Sequence, residues 1–139
     1  MFKRILVPTD LSDRGNRALE IALNMAVGKD CRVVFFHVVE KIDDSEDEEF
    51  RSFYDKLIEK ARRKMNAAVG RYDTGRAAVD IQIILGNRVK EIIDFTIKNG
   101  IDLIVLSSHK LEKVDAAEGW ATISYKIGIL APCPVMMVK

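Results

Sequence analysis

Ser107, Ser108, His109 and Lys110 bring two hydroxyls, an imidazole and an ammonium directly after an apolar run, Ile101 to Leu106. Such a set suits the capture of an anion, because hydroxyl and ammonium groups donate hydrogen bonds to phosphate or carboxylate oxygens. Thr122 and Ser124 add two more hydroxyls, and near the start Thr9 and Ser12 flank a lone carboxylate, Asp10. Catalysis would need more than this. His109 has no partner at a spacing that would orient it, so it is given no catalytic role. There is no G-x-x-x-x-G-K-[ST] loop, and the first turn, Pro8 to Ser12, holds no G-x-G-x-x-G. A phosphate-accepting receiver site would want clustered carboxylates after the first strand and an aspartate closing the third. Here Asp10 stands alone, and a flavodoxin-like phosphate site would have only Thr9 and Ser12 to draw on.

The elements that must position these groups follow from periodicity. Ile101 to Leu106 has the length and continuous apolarity of a buried parallel strand, and ligands of open α/β sheets sit outside the carboxyl ends of such strands. Upstream, Phe2 to Val7 is a first strand stopped by Pro8, which cannot donate to a sheet ladder. Ser12 or Asp13 caps a helix with Ala18, Ile21, Ala22, Met25 and Ala26 on its inner face, ended by Gly28 and Asp30. Cys31 to Val39 is a second strand, rich in β-branched and aromatic residues. An acidic run from Asp43 to Glu49 precedes a long helix with Phe50, Phe53, Leu57, Ala61, Met65 and Ala68 inward. The basic residues Lys60, Arg62, Arg63 and Lys64 are read as complementing the negative end of its dipole.

Tyr72 to Ala77 forms a loop, and Val79 to Leu85 a third strand. Asn87 caps a helix presenting Val89, Ile92, Ile93, Thr96 and Ile97, closed by Asn99 and Gly100. After the fourth strand, a helix beginning near Thr122 feeds a last strand reaching Val138. The order βαβαβαβαβ predicts a single three-layer α/β/α domain over residues 1–139, with a parallel sheet of five strands and right-handed crossovers.

Composition narrows the partners. The chain has 139 residues and a net charge of +1, from 22 basic against 21 acidic side chains, which gives no electrostatic reason to expect nucleic acid or an anionic membrane. No apolar segment approaches the roughly 20 residues that span a bilayer, and the first residues read as a strand and not a signal peptide, so a cytoplasmic location is expected. Cys31 and Cys133 read as buried free thiols, His37 as a hydrogen-bonded core histidine, and Trp120 as a structural aromatic.

These same residues carry a resemblance to the universal stress protein family over nearly the whole chain. Ile5 to Ser12 resembles the family's first strand and loop, His37-Val38 the end of its second strand, Asp102 to Val105 its fourth, and Ala131-Pro132-Cys133-Pro134-Val135 its ending. The resemblance implies a flavodoxin-like strand order 3-2-1-4-5 and a homodimer through the last strand, Val135, Met136, Met137 and Val138. An apolar edge strand left unpaired would otherwise be an aggregation hazard. It also implies a nucleotide site at Pro8, Thr9, Asp10, Val38, Leu106, Ser107, Lys110, Thr122, Ile123 and Ser124. Asp10 falls near a ribose or metal position, Val38 on the adenine side, and Thr122 and Ser124 serve as hydroxyl donors at a helix start.

The phosphate-wrapping glycines of nucleotide-binding members are replaced here by Ser107, Lys110 and Ala121. Glycine is needed where backbone amides must approach a phosphate closely with positive φ, and the intervening Glu112, Asp115 and Glu118 add repulsion. The resulting expectation is a non-catalytic, dimeric stress-response or regulatory module with a degenerate nucleotide site, no cofactor and unidentified protein partners. The alternative is an ATP-binding stress protein whose segment 107–120 responds to nucleotide.

Overall fold

The computed structural model describes residues 2–26, 30–42, 48–72, 77–108 and 119–139, with the side chain of Ala121 left aside. Gly28, residues 43–47 of the acidic run, residues 73–76 of the expected loop and the segment 109–118, His109 and Lys110 among them, lie outside the described residues. Strands β1 (Arg4–Pro8), β2 (Arg32–Glu40), β3 (Ala78–Gly86), β4 (Leu103–Ser107) and β5 (Val135–Val138) alternate with helices α1 (Asp13–Met25), α2 (Glu48–Tyr72), α3 (Arg88–Lys98) and α4 (Trp120–Leu130). The sheet order is β3-β2-β1-β4-β5 and every pairing is parallel, as the alternation and the family resemblance imply.

Strand β1 is the pivot. It pairs with β2 on one side and β4 on the other, so the connections run outward in opposite directions from it and leave a crevice at the strand ends. Its residues explain its place: Ile5, Leu6 and Val7 have no exposed surface, which suits a strand covered on both faces. Alternation divides the core in two. Ile5, Val7, Val33 and Phe35 pack with Leu19 and Ala22 of α1 and Met65 of α2. Leu6, Phe36, Ile104 and Leu106 pack with Ile92 of α3 and Ile123 and Ile127 of α4. Phe36 and Phe95 add a tilted ring pair, 4.7 Å between centroids.

Several boundaries follow their local chemistry. Asn87 caps α3 by accepting the Lys90 amide at 3.0 Å, and Gly100, just beyond the helix, takes the positive φ of 59° that ends it. Asp102 accepts the amides of Lys3 and Arg4 at 2.8 and 3.1 Å, tying the start of β4 to the start of β1.

Other expectations are corrected. In α2 the buried side chains are Tyr54, Ala61, Met65 and Ala68, whereas Phe50 and Phe53 are exposed. In α3, Ile97 is 63% exposed and Phe95 takes its place against the core. Both helices carry more apolar residues than the sheet beneath them covers, so periodicity alone overestimates their buried faces. The basic residues from Lys60 to Lys64 lie mid-helix, because α2 continues to Tyr72; their placement has no dipole explanation, since that effect is confined to the last turn. Helix α4 starts at Trp120, two residues before Thr122, and Cys133, expected as a buried thiol, is only half-buried and precedes β5.

Strand β5 pairs with β4 and forms an edge of the sheet. Val138 packs in the core on the α1 side, Val135 and Met137 are half-buried on the α4 side, and Met136 is exposed. Gly128 makes room for this arrangement, since a Cβ there would come within 2.3 Å of the Met137 methyl carbon.

Candidate functional site

At the carboxyl end of β1, the chain is held by its own short polar side chains. The Thr9 amide donates to the Phe36 carbonyl at 2.8 Å, continuing the sheet for one residue, and the Leu11 amide donates to Thr9 Oγ1 at 3.0 Å. Asp10 Oδ1 accepts from the Ser12 amide at 3.0 Å and from Ser12 Oγ at 2.5 Å. Leu11 is thereby carried into the left-handed region, with φ at 68°, a conformation that costs a non-glycine residue about 1–3 kcal/mol. Ser12 is the N-cap residue of α1 without capping it by side chain; its hydroxyl is committed to Asp10. Gly15 lets the loop lie on the helix, because a Cβ would come within 2.3 Å of Thr9 Oγ1.

His37 lies beside this loop. Its Nδ1 is 2.8 Å from the Thr9 carbonyl oxygen. A carbonyl only accepts, so Nδ1 carries the hydrogen and, in the neutral ring, Nε2 is left as an acceptor. Burial holds the His37 pKa below its ordinary value and the Arg88 charge pushes the same way, while the Thr9 carbonyl and Asp10 oppose them.

Above the ends of β1 and β2 opens a cleft of about 620 Å³ between the Asp10 loop and α2. Asp10, His37 and Val38 form part of its floor, and Phe53, Lys60 and Lys64 of α2 part of its wall. Arg88, at the start of α3, also borders it and pairs with Glu40 at 3.3 Å. The Tyr54 hydroxyl accepts the Ile42 amide at 2.9 Å, fastening the segment after β2 to α2. The volume lies within the range of small-molecule sites, ~300–1,000 Å³.

The end of β4 is different. Trp120 folds back over it, buried, with Nε1 donating to the Ser107 carbonyl at 3.0 Å. Among the described residues, the buried Ser107 Oγ has no hydrogen-bond partner. Thr122 and Ile123 donate their amides to the Gly119 carbonyl at 3.1 and 3.2 Å, so the expectation of a helix start at Thr122 is corrected. The helix begins earlier because Gly119 takes the extended N-cap conformation.

The expected site residues therefore separate. Asp10 and Val38 meet on the cleft; Pro8 and Thr9 are buried beneath it. Leu106 and Ile123 are core side chains, and Ser124 is fully buried. Thr122 is half-buried on the first turn of α4, and Lys110 lies outside the described residues. Among the described residues no group of His, Cys, Asp and Glu is arranged to hold a metal ion, and no helix is long and apolar enough to cross a membrane. Lys60, Lys64, Arg88 and Phe53 were not assigned to a site by the sequence. The available signal was the four-residue spacing of the two lysines, which puts them on one helix face.

The model of the universal stress protein family matches residues 1–139. The chain belongs to this family. A universal stress protein of Thermus aquaticus is 29% identical to it over 140 residues, with full coverage of both chains. Universal stress protein MJ0577 of Methanocaldococcus jannaschii is 28% identical over 127 residues, covering 78% of each chain. The solved structure of MJ0577 superposes with a TM-score of 0.83, covering 100% of this chain and 96% of that one. The universal stress protein UspA of Lactobacillus plantarum, at 22% identity, shares the fold with a TM-score of 0.78 over 99% and 98% of the two chains. In this universal stress domain, then, the loop after β1 and the end of β2 retain a shaped cleft, while the start of α4 is closed over by Trp120.

Proposed function

We propose that this universal stress protein is a non-catalytic, dimeric regulatory module of the cytoplasm that takes a nucleotide at the ends of β1 and β2. The observation that carries the reading is the cleft of about 620 Å³ holding Asp10 and Val38 at the carboxyl ends of β1 and β2. Structures of more distant universal stress proteins contain cAMP, dAMP and AMP, at 17%, 18% and 21% identity to this chain. Those identities support the fold alone, so the nucleotide is carried by the cleft and the family together. Replacement of the phosphate-wrapping glycines by Ser107, Lys110 and Ala121 favours a ligand with one phosphate over ATP.

The dimeric part of the reading is supported by β5, an apolar edge strand, and by the exposed Tyr125, Ile129 and Leu130 on α4. The Ser12 hydroxyl in the cleft is committed to Asp10 in a bond that fixes the loop, which is the reason for leaving out a catalytic step.

Calorimetric titration of the nucleotide-stripped protein with AMP, cAMP and Mg-ATP tests the reading. Saturable micromolar binding of a monophosphate, weakened by Asp10→Ala, is expected. No binding up to millimolar concentrations would remove the nucleotide and leave a protein-interaction module.

A further inference from the structure

At the amino end of the sheet, opposite the cleft, a small pocket of about 210 Å³ opens between the starts of β1, β2 and β3 and the last turn of α3. Its floor is apolar, from Val34, Phe95 and Ile101, and its charges come from the strands: Arg4 of β1, Arg32 of β2 and Asp80 of β3. Register brings them together. Arg4 pairs with Arg32, and Asp80 pairs with Val34 two residues further along, so all three share the face of the sheet that α3 covers.

Like charges directly opposite on neighbouring strands repel, and only part of that repulsion is met within the chain. Arg4 Nη1 donates to the Asn99 carbonyl at 2.9 Å, at the negative end of the α3 dipole, which also fixes the side chain in place. Arg32 Nε is 3.8 Å from Asp80 Oδ2, longer than a hydrogen bond, with the two side chains 60% and 47% exposed. The carboxylate of Asp102 is taken up by the amides of Lys3 and Arg4 and does not border the pocket. Among the described residues, then, the pocket sets two guanidinium groups against one loosely held carboxylate over an apolar floor.

That combination selects its ligand. A simple anion such as phosphate would be drawn to the arginines but opposed by Asp80, and would leave Val34 and Phe95 uncovered. A volume below the ~300–1,000 Å³ of ordinary small-molecule sites restricts the ligand to a small one. We infer that the pocket binds a free α-amino acid with an apolar side chain, its carboxylate on Arg4 and Arg32, its ammonium on Asp80 and its side chain against Val34 and Phe95. Guanidinium forks match a carboxylate as charge-assisted donors, and Arg4 is already held by α3, which lowers the ordering cost of binding. The site is independent of the nucleotide reading, since no residue borders both this pocket and the cleft.

The experiment is a calorimetric titration of the full chain with leucine, with isocaproate, which lacks the ammonium, and with isopentylamine, which lacks the carboxylate. Leucine is expected to bind saturably and about tenfold or more tightly than either analogue. Arg32→Gln should weaken leucine by about tenfold, and Asp80→Asn should remove its advantage over isocaproate. Both side chains are largely solvent-facing, and unchanged thermal melting will verify that the variants are folded. As a second readout, the backbone amide resonances of Val34 and Gln82, both at the pocket, should shift on leucine binding while that of Asp10 stays in place. Absence of saturable leucine binding, isocaproate binding as tightly as leucine, or leucine affinity and amide shifts unmoved by both substitutions would each overturn the inference.

Discussion

Trp120 Nε1 donates to the carbonyl oxygen of Ser107 at 3.0 Å, joining the first residue of α4 to the last residue of β4. The bond seals the end of the strand with an indole that is 8% exposed, where an open nucleotide site would need room. It also makes the chain's one tryptophan a reporter of that corner.

Replacing the indole by Phe keeps most of the apolar area but leaves the Ser107 carbonyl without its donor. Trp120→Phe should cost about 1–3 kcal/mol in denaturant unfolding, the range for a buried polar group left unsatisfied. In the native protein, Trp120 emission should be blue-shifted and resist acrylamide quenching. Solvent-like emission would mean the indole does not occupy this position.

Gly15→Ala puts a methyl against Thr9 Oγ1, which is already engaged by the Leu11 amide. Alanine gains helix propensity, up to about 1 kcal/mol, but overpacking costs about 1–3 kcal/mol, so the net change should be a loss of stability. Thermal unfolding measures it. Nucleotide affinity should fall as well, because the displaced loop carries Asp10.

The lowered His37 pKa gives stability a defined pH dependence. Between the folded value and the unfolded value of about 6.5, the unfolded chain binds more protons than the folded one, so stability rises with pH across that window. The contribution is complete above the unfolded value and is lost as pH falls through the lower folded one. Chemical denaturation from pH 8 downward should show this decline, and His37→Gln should flatten it. An equally steep decline in the variant would assign it to other groups.

The proposed dimer has its own test. Met136→Glu and Ile129→Glu place charges on exposed apolar positions of β5 and α4 without removing core side chains. Sedimentation equilibrium should show dimers of the native protein and monomers of the double variant, with unchanged far-UV circular dichroism. Truncation after Pro134 is a poorer probe, since it deletes Val138 from the core.

Burial raises the thiol pKa of both Cys31 and Cys133, with the Asp102 carboxylate adding to the effect. Each should therefore remain a neutral thiol at pH 7 and react slowly with iodoacetamide in the folded state. Rapid alkylation that disappears in the Cys133→Ser variant would show that the half-buried Cys133 is open to solvent.

Local signals were enough for the elements and their type. Continuous apolar runs such as Ile5 to Val7 and Leu103 to Leu106 are strands buried on both faces, Pro8 ends the first, Asn87 starts α3 and Gly100 closes it. Each depends on neighbours within a few residues, so the sequence alone determined them. Its alternation also implied parallel pairing and the sheet order by way of the family resemblance. The loop of Thr9, Asp10 and Ser12 was visible for the same reason, since short polar side chains bond their own backbone.

Only the tertiary structure decided which helix faces are covered and which polar groups meet. The reach of the sheet under α2 leaves Phe53 open and buries Tyr54. The length of α2 brings Lys60 and Lys64 over the ends of strands distant in the sequence, and the return of Trp120 to Ser107 closes a corner that its neighbours do not foretell. Periodicity reports a direction around one element's axis, whereas a site depends on distances between elements, and those are set by how the whole sheet is packed.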